Sequence, residues 1–176
     1  MVKKIIILGR SPFINNIDFK KIDSQEYSVC VINYAHPDCK NFSYLVSADE
    51  ATRYNEPTEF EWISRYTGWT FKYNQKGEDI ILKENEISWR HFSSSIAVSF
   101  AILRGFEEIY LAGVDLSGNK KFKHFDGTST SKIIDEKICN EEKSFIKQIC
   151  LLYGVKLFTL DPNISWLNFK NIGIIK

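Results

Sequence analysis

The sequence predicts an α/β fold: a Rossmann-like, doubly wound, mostly parallel sheet in one domain spanning 1–176, with a short lid insertion at about 116–136. Three observations predict it. Short continuous apolar runs at 3–8, 27–33 and 42–47 each stop on a polar or glycine turn, the pattern of parallel strands covered on both faces. A helix at 93–104, a glycine stop at Gly105 and a buried strand at 109–112 follow one another as an α/β repeat. The 176 residues, 44% of them hydrophobic, are enough for one core and too few for a second full domain.

The first run enters a loop at Gly9-Arg10-Ser11-Pro12, and the scattered apolar positions at 13–22 read as a short helix or a turn. The strands at 27–33 and 42–47 follow, so that Gly9, Asn33 and Asp49 stand at strand ends. Pro57 suits a helix start, and Phe60, Trp62, Ile63 and Tyr66 have the spacing of a short amphipathic helix stopped near Gly68. Residues 69–73 and 79–83 flank a polar stretch at 74–78 and read as a hairpin or two edge strands. Ser93-Ser94-Ser95 opens the next helix, with more hydroxyls than capping needs, and the strand after it ends in Gly113-Val114-Asp115. Gly, Lys, Ser and Thr then dominate to about 135, and a loop of that length in a compact domain points to function. A helix at 138–153 and a buried strand at 155–160, leading into Asp161-Pro162-Asn163, complete the chain. Sheets of this kind bind ligands beyond the carboxyl ends of their strands, where the winding reverses. Gly9, Asn33, Asp49, Asp115 and Asp161 fall there.

Lys+Arg 23 against Asp+Glu 22 leaves a net charge of +1, so no global field points to nucleic acid or a membrane surface. The 14% aromatic content, without a basic face, reads as core or sugar-contacting surface rather than base-stacking surface. No apolar segment approaches the roughly 20 residues that span a bilayer. The apolar run of MVKKIIILGR stops at Leu8 with no cleavage site, and reads as a strand rather than a signal peptide. Cys30, Cys39, Cys139 and Cys150 show no CxxC spacing and read as reduced thiols of a cytoplasmic protein, with no metal site and no cofactor expected. The expected partner is a nucleotide or nucleotide sugar. The sequence identifies no acceptor, and a homo-oligomer is compatible with it.

Four stretches carry a resemblance: IIILGRSPFINNID near the start, VINYA around Asn33, SSSIAVSFAILRGFEEIYLAGVDLS from Ser93, and YGVKLFTLDPNISWLNF from Tyr153. Together, in order and over most of the chain, they resemble the bacterial lipooligosaccharide sialyltransferases of glycosyltransferase family 42, and more distantly the family that includes archaeal hydroxymethylpterin pyrophosphokinases. The resemblance implies a single nucleotide-sugar-binding domain that takes a CMP-sugar and transfers the sugar to a hydroxyl acceptor without a metal. Gly9, Ser11 and Pro12 match the phosphate-and-ribose loop, with Arg10 in place of its asparagine. Asn33 matches a donor-binding asparagine, and Asp49 stands where another is expected. Ser93 and Ser94 match a Thr-Ser pair at the helix start, Ser95 replaces a glycine, and Gly113 matches the glycine after the strand. The family's two lid tyrosines have no counterpart between Leu116 and Phe122, where lysines supply charge instead. Its catalytic histidine corresponds to His124 only if the lid is shortened; an ungapped count reaches Lys137.

The residue types suit this chemistry. A helix start carrying hydroxyls and unpaired amides is an anion site. His124 suits a general base for an acceptor hydroxyl, or else is a surface-loop histidine. Arg10 suits a bidentate phosphate contact or a surface ion pair. Asp49 suits ribose hydroxyls or a helix cap, and Asp115 is expected to brace its own loop. His91 reads as packing, or else faces the same anion as the serine cluster, and His36 reads as incidental. The expected function is a metal-independent glycosyltransferase with His124 catalytic. The alternatives are metal-dependent diphosphate transfer through Asp49, Asp115 and Asp126, and a non-catalytic nucleotide-binding protein.

Overall fold

The first apolar run forms strand β1 (Lys4–Leu8), whose Ile5 and Ile7 enter one core and whose Ile6 and Leu8 enter another on the opposite face. The computed structural model describes residues 2–48, 60–75 and 77–176. In it β1 is joined by β2 (Tyr27–Ile32), β3 (Tyr44–Val46), β4 (Glu61–Ile63), β7 (Glu108–Ala112) and β8 (Lys156–Thr159) in a six-stranded sheet of order β4-β3-β2-β1-β7-β8. Every pairing in it is parallel. The chain winds outward from β1 to β4, then returns to β7 on the other side of β1. This reversal opens a crevice between the ends of β1 and β7, where Leu8 stands level with Val31 and Ala112.

The two faces are covered differently. Helices α1 (Ser93–Leu103) and α2 (Glu136–Leu152) both contribute to the core over Ile5 and Ile7. The other face is closed by 3-10 turns at Pro12–Asn16 and Phe19–Lys21 and by the C-terminal segment, whose Ile174 is buried beside Ile14 and Ile17. Every residue of α1 from Ser94 to Ile102 is buried, because the helix lies between the sheet, α2 and a small second sheet. By contrast α2 is amphipathic, with Phe145, Ile146, Ile149 and Cys150 turned inward.

Two expectations are corrected. The segment at 60–66 is not a helix: it forms β4 and then a 3-10 turn at Arg65–Thr67. Trp62 and Ile63 enter opposite cores, so each neighbouring side chain is buried on its own face, which only an extended backbone allows. Pro57 lies outside the described residues. The stretch at 69–83 is not a hairpin either. β5 (Thr70–Tyr73) pairs in parallel with β6 (Glu86–Trp89), which the sequence reading left unassigned. Burial of Phe71 and Ile87 under α1 selects that partner, and 79–83 crosses over with Ile80 buried.

No helix among the described residues is long and apolar enough to cross a membrane. All four cysteines are buried thiols, and burial pushes those of Cys39 and Cys150 up to about 12, leaving them protonated and inert.

Candidate functional site

The site is built on the contact of two glycines. Gly9 N donates to Ala112 O at 2.7 Å and Ser11 N to Gly113 O at 3.0 Å, so the loops after β1 and β7 run side by side. A Cβ on Gly9 would stand 2.3 Å from the Gly113 carbonyl oxygen, and one on Gly113, whose φ is +68°, would stand 2.5 Å from Ile14. Close approach therefore explains both glycines, and their backbones floor the crevice.

Above that floor lies a cleft of about 410 Å³. Gly9, Arg10 and Ser11 line it from the first loop, Asn33 from the end of β2, Ser93 and Ser94 from the entrance of α1, Gly113 from the end of β7, and His124 from the lid. Residues far apart in sequence thus meet around one space. Asn33 sits in the left-handed region at φ +62°, tolerable for asparagine, and its N–H ties β2 to Val46 O at 2.8 Å. Pro12 is exposed, opens the first 3-10 turn and does not line the cleft. Asp49 lies outside the described residues. Asp161 is buried away from the cleft and holds its own turn, accepting from Asn163 N at 2.9 Å.

The entrance of α1 also differs from expectation. Glu142, fully buried on α2, places its carboxylate there, accepting from Ser94 Oγ at 2.6 Å, Ser95 N at 2.9 Å, His91 N at 2.9 Å and Phe92 N at 3.3 Å. Burial pushes this carboxyl above its ordinary value, against hydrogen bonds from Ser94, His91 and Ser95 that pull it down. The Ser94 hydroxyl and much of the helix-end charge are therefore committed to a residue of the chain. Ser93 differs: half-buried, its hydroxyl makes no hydrogen bond among the described residues. Glu142 was legible in principle, since it interrupts the apolar stripe of Cys139, Phe145, Ile146 and Ile149.

The neighbouring Glu141 holds Arg90 at 2.6 Å and His91 Nε2 at 2.8 Å, and hydrogen bonds from these two hold its carboxyl down to about 2. Because the folded value lies below the ordinary 4.5, the stabilisation is complete above 4.5 and is lost as pH falls toward 2. The melting temperature of wild type is expected to exceed that of Glu141→Gln near neutrality, with the gap closing across that window in a thermal-melt pH series. A gap independent of pH would refute the assignment.

The lid is an ordered antiparallel ribbon. Asn119 N donates to Ile134 O at 2.7 Å, Thr130 N to Phe122 O at 3.0 Å and His124 N to Thr128 O at 2.9 Å, with the turn at Asp126-Gly127. It docks on the first loop through Phe125 N to Arg10 O at 2.8 Å and Asn15 Nδ2 to Phe125 O at 3.3 Å. His36, expected to be incidental, packs its ring 5.0 Å from Phe125 and pairs Nε2 with Asn15 Oδ1 at 3.0 Å. Asp115 braces the ribbon's base, accepting from Ser117 N at 3.0 Å and Lys120 Nζ at 2.8 Å. The His124 imidazole makes no hydrogen bond among the described residues. Burial, and then the Arg10 charge, hold its pKa below the ordinary 6.5, so the ring is neutral at pH 7 and able to accept a proton.

No protein-family model matches the chain, and no curated protein matches it. Among solved structures it is similar to the sialyltransferase CstII from Campylobacter jejuni in complex with the substrate analogue CMP-3FNeuAc, with a TM-score of 0.56 and 15% identity over 99% of this chain and 89% of that one. A complex of CstII with trisaccharide acceptor and CMP gives a TM-score of 0.52 at 18% identity, over 99% of this chain and 86% of that one. At such identity the likeness is one of fold: this chain has the mostly parallel α/β architecture of that sialyltransferase.

Proposed function

We propose that the cleft binds a nucleotide sugar, specifically a CMP-sugar, and that the protein transfers the sugar to a hydroxyl acceptor. The observation that carries this reading is the convergence of the Gly9–Ser11 loop, Asn33, Ser93 and the lid histidine on one cleft, in a fold shared with a sialyltransferase solved with CMP. The phosphate lies over the glycine floor near Arg10, Ser93 and Lys123. The acceptor oxygen attacks the anomeric carbon as the phosphate leaves, His124 takes the acceptor's proton, and the surrounding cations balance the charge that develops on the phosphate. No step calls on a cofactor or a metal.

Isothermal titration with CMP, UMP, GMP and their sugar conjugates tests the binding; silence toward all of them removes the proposal. His124→Ala is expected to lower kcat by about 10²–10⁴-fold with little change in CMP affinity. The acidic limb of kcat/KM should have its midpoint below 6.5, because His124 stays neutral to lower pH than an ordinary histidine.

Two observations bear on the alternatives. The diphosphate-transfer reading needs carboxylates free for a divalent ion, yet Asp115 already holds Lys120 and Asp126 faces Arg10. The absence of tyrosine between Leu116 and Phe122 favours a binder without turnover; tight CMP binding with no transfer and no donor hydrolysis would select it.

A further inference from the structure

Arg10 is a charged group facing the cleft whose hydrogen-bonding capacity is left partly unused. Its guanidinium stacks on Tyr34, 4.4 Å from ring centre to Cζ, which fixes its plane. Its Nε is buried with no hydrogen-bond partner among the described residues. Its ion pair is to Asp126 Oδ2, a long 3.4 Å from Nη2. Nε and Nη2 together form the flat edge of a guanidinium that matches two oxygens of one anion. Asp126 engages only one corner of that edge, while its other oxygen is held by Thr128 N at 3.0 Å and Thr128 Oγ1 at 2.6 Å. The carboxylate therefore stands at the mouth of a two-pronged site without filling it.

We propose that the Nε–Nη2 edge of Arg10 is the phosphate-recognition element of this site, and that Asp126, at the tip of the lid ribbon, is an internal anion displaced when a phosphate binds. The inference rests on the nucleotide-sugar reading and adds to it which side chain takes the phosphate and what it exchanges. Two oxygens of one phosphate satisfy both N–H groups at once, the orphaned Nε among them, and the monoester phosphate of CMP carries more charge than the carboxylate it replaces. Phosphate binding is thereby coupled to the lid, because the same turn carries Asp126, Phe125 and His124. No covalent step is involved.

Titration of wild type, Arg10→Ala, Arg10→Lys and Asp126→Asn with CMP tests it, with cytidine as the phosphate-free control. Arg10→Ala is expected to weaken CMP binding by about tenfold or more. Arg10→Lys, which keeps the charge and loses the fork, should recover only part of that, and Asp126→Asn should tighten CMP several-fold by removing the competitor. Cytidine affinity should stay unchanged throughout. CMP affinity indifferent to Arg10→Lys, or weakened by Asp126→Asn, overturns the inference while leaving the nucleotide reading intact. Inorganic pyrophosphate, followed at the Arg10 Nε–H resonance of wild type, separates the two the other way. A shift with pyrophosphate but not with CMP supports the phosphate site and sinks the nucleotide reading; no shift with either sinks both.

Discussion

Glu142→Ala is expected to lower the unfolding free energy by roughly 3–5 kcal/mol, since it removes a buried acceptor shared by four donors. The amides of His91 and Phe92 and the Ser94 hydroxyl lose the acceptor that the fold gives them, while Ser95 N keeps its bond to Phe92 O at 3.1 Å. Glu142→Gln retains one carbonyl oxygen but turns an amide donor toward other donors, and should lose less than the alanine variant and more than a surface substitution. Urea unfolding gives the global loss, and amide exchange at Phe92 and Ser95 gives the local one. Because α1 begins at this carboxylate, CMP affinity should fall in both variants as Ser93 loses its fixed position. A loss below about 1 kcal/mol in the alanine variant would mean that Glu142 merely occupies a space.

Gly9→Ala is the second large effect, roughly 3 kcal/mol of destabilisation. The added methyl would stand 2.3 Å from a backbone oxygen, so the relief must come from moving one strand end away from the other. That motion breaks the Gly9 N to Ala112 O and Ser11 N to Gly113 O bonds and widens the floor of the cleft. Gly113→Ala combines a positive φ with a clash against Cγ1 and Cδ1 of the buried Ile14, side-chain rather than backbone atoms, and should cost less than Gly9→Ala. Equilibrium unfolding of the two variants checks the order; equal stability of Gly9→Ala and wild type would deny the close approach its role.

The strands with two buried faces were legible because nearly every residue in them is apolar, as in Ile5-Ile6-Ile7-Leu8. The edge strand β4 was misread because it is three residues long, and Phe60, Trp62 and Ile63 fit a helical stripe as well as an alternating one. β5 found its partner beyond the nearest apolar run because burial under α1, not nearness in sequence, chose it. Around the cleft, the glycine loop and Asn33 were legible as residue types at strand ends, the serines as a helix start and His124 as a lid residue. The roles of Glu142, Asp126 and Tyr34 were not, because each acts through a contact made by another element.

By itself the sequence determined five of the six strands of the central parallel sheet, and the glycine loop and serine helix entrance that follow and precede two of them. These follow from apolar periodicity and from turn chemistry, which are local. Only the tertiary structure decided that a buried glutamate of α2 occupies much of the anion site at the start of α1, and that the lid folds as a ribbon with its turn paired to Arg10. The physical reason is that a charge is satisfied by whatever donor or acceptor packing brings within about 3 Å, and packing draws on residues more than forty or a hundred positions away.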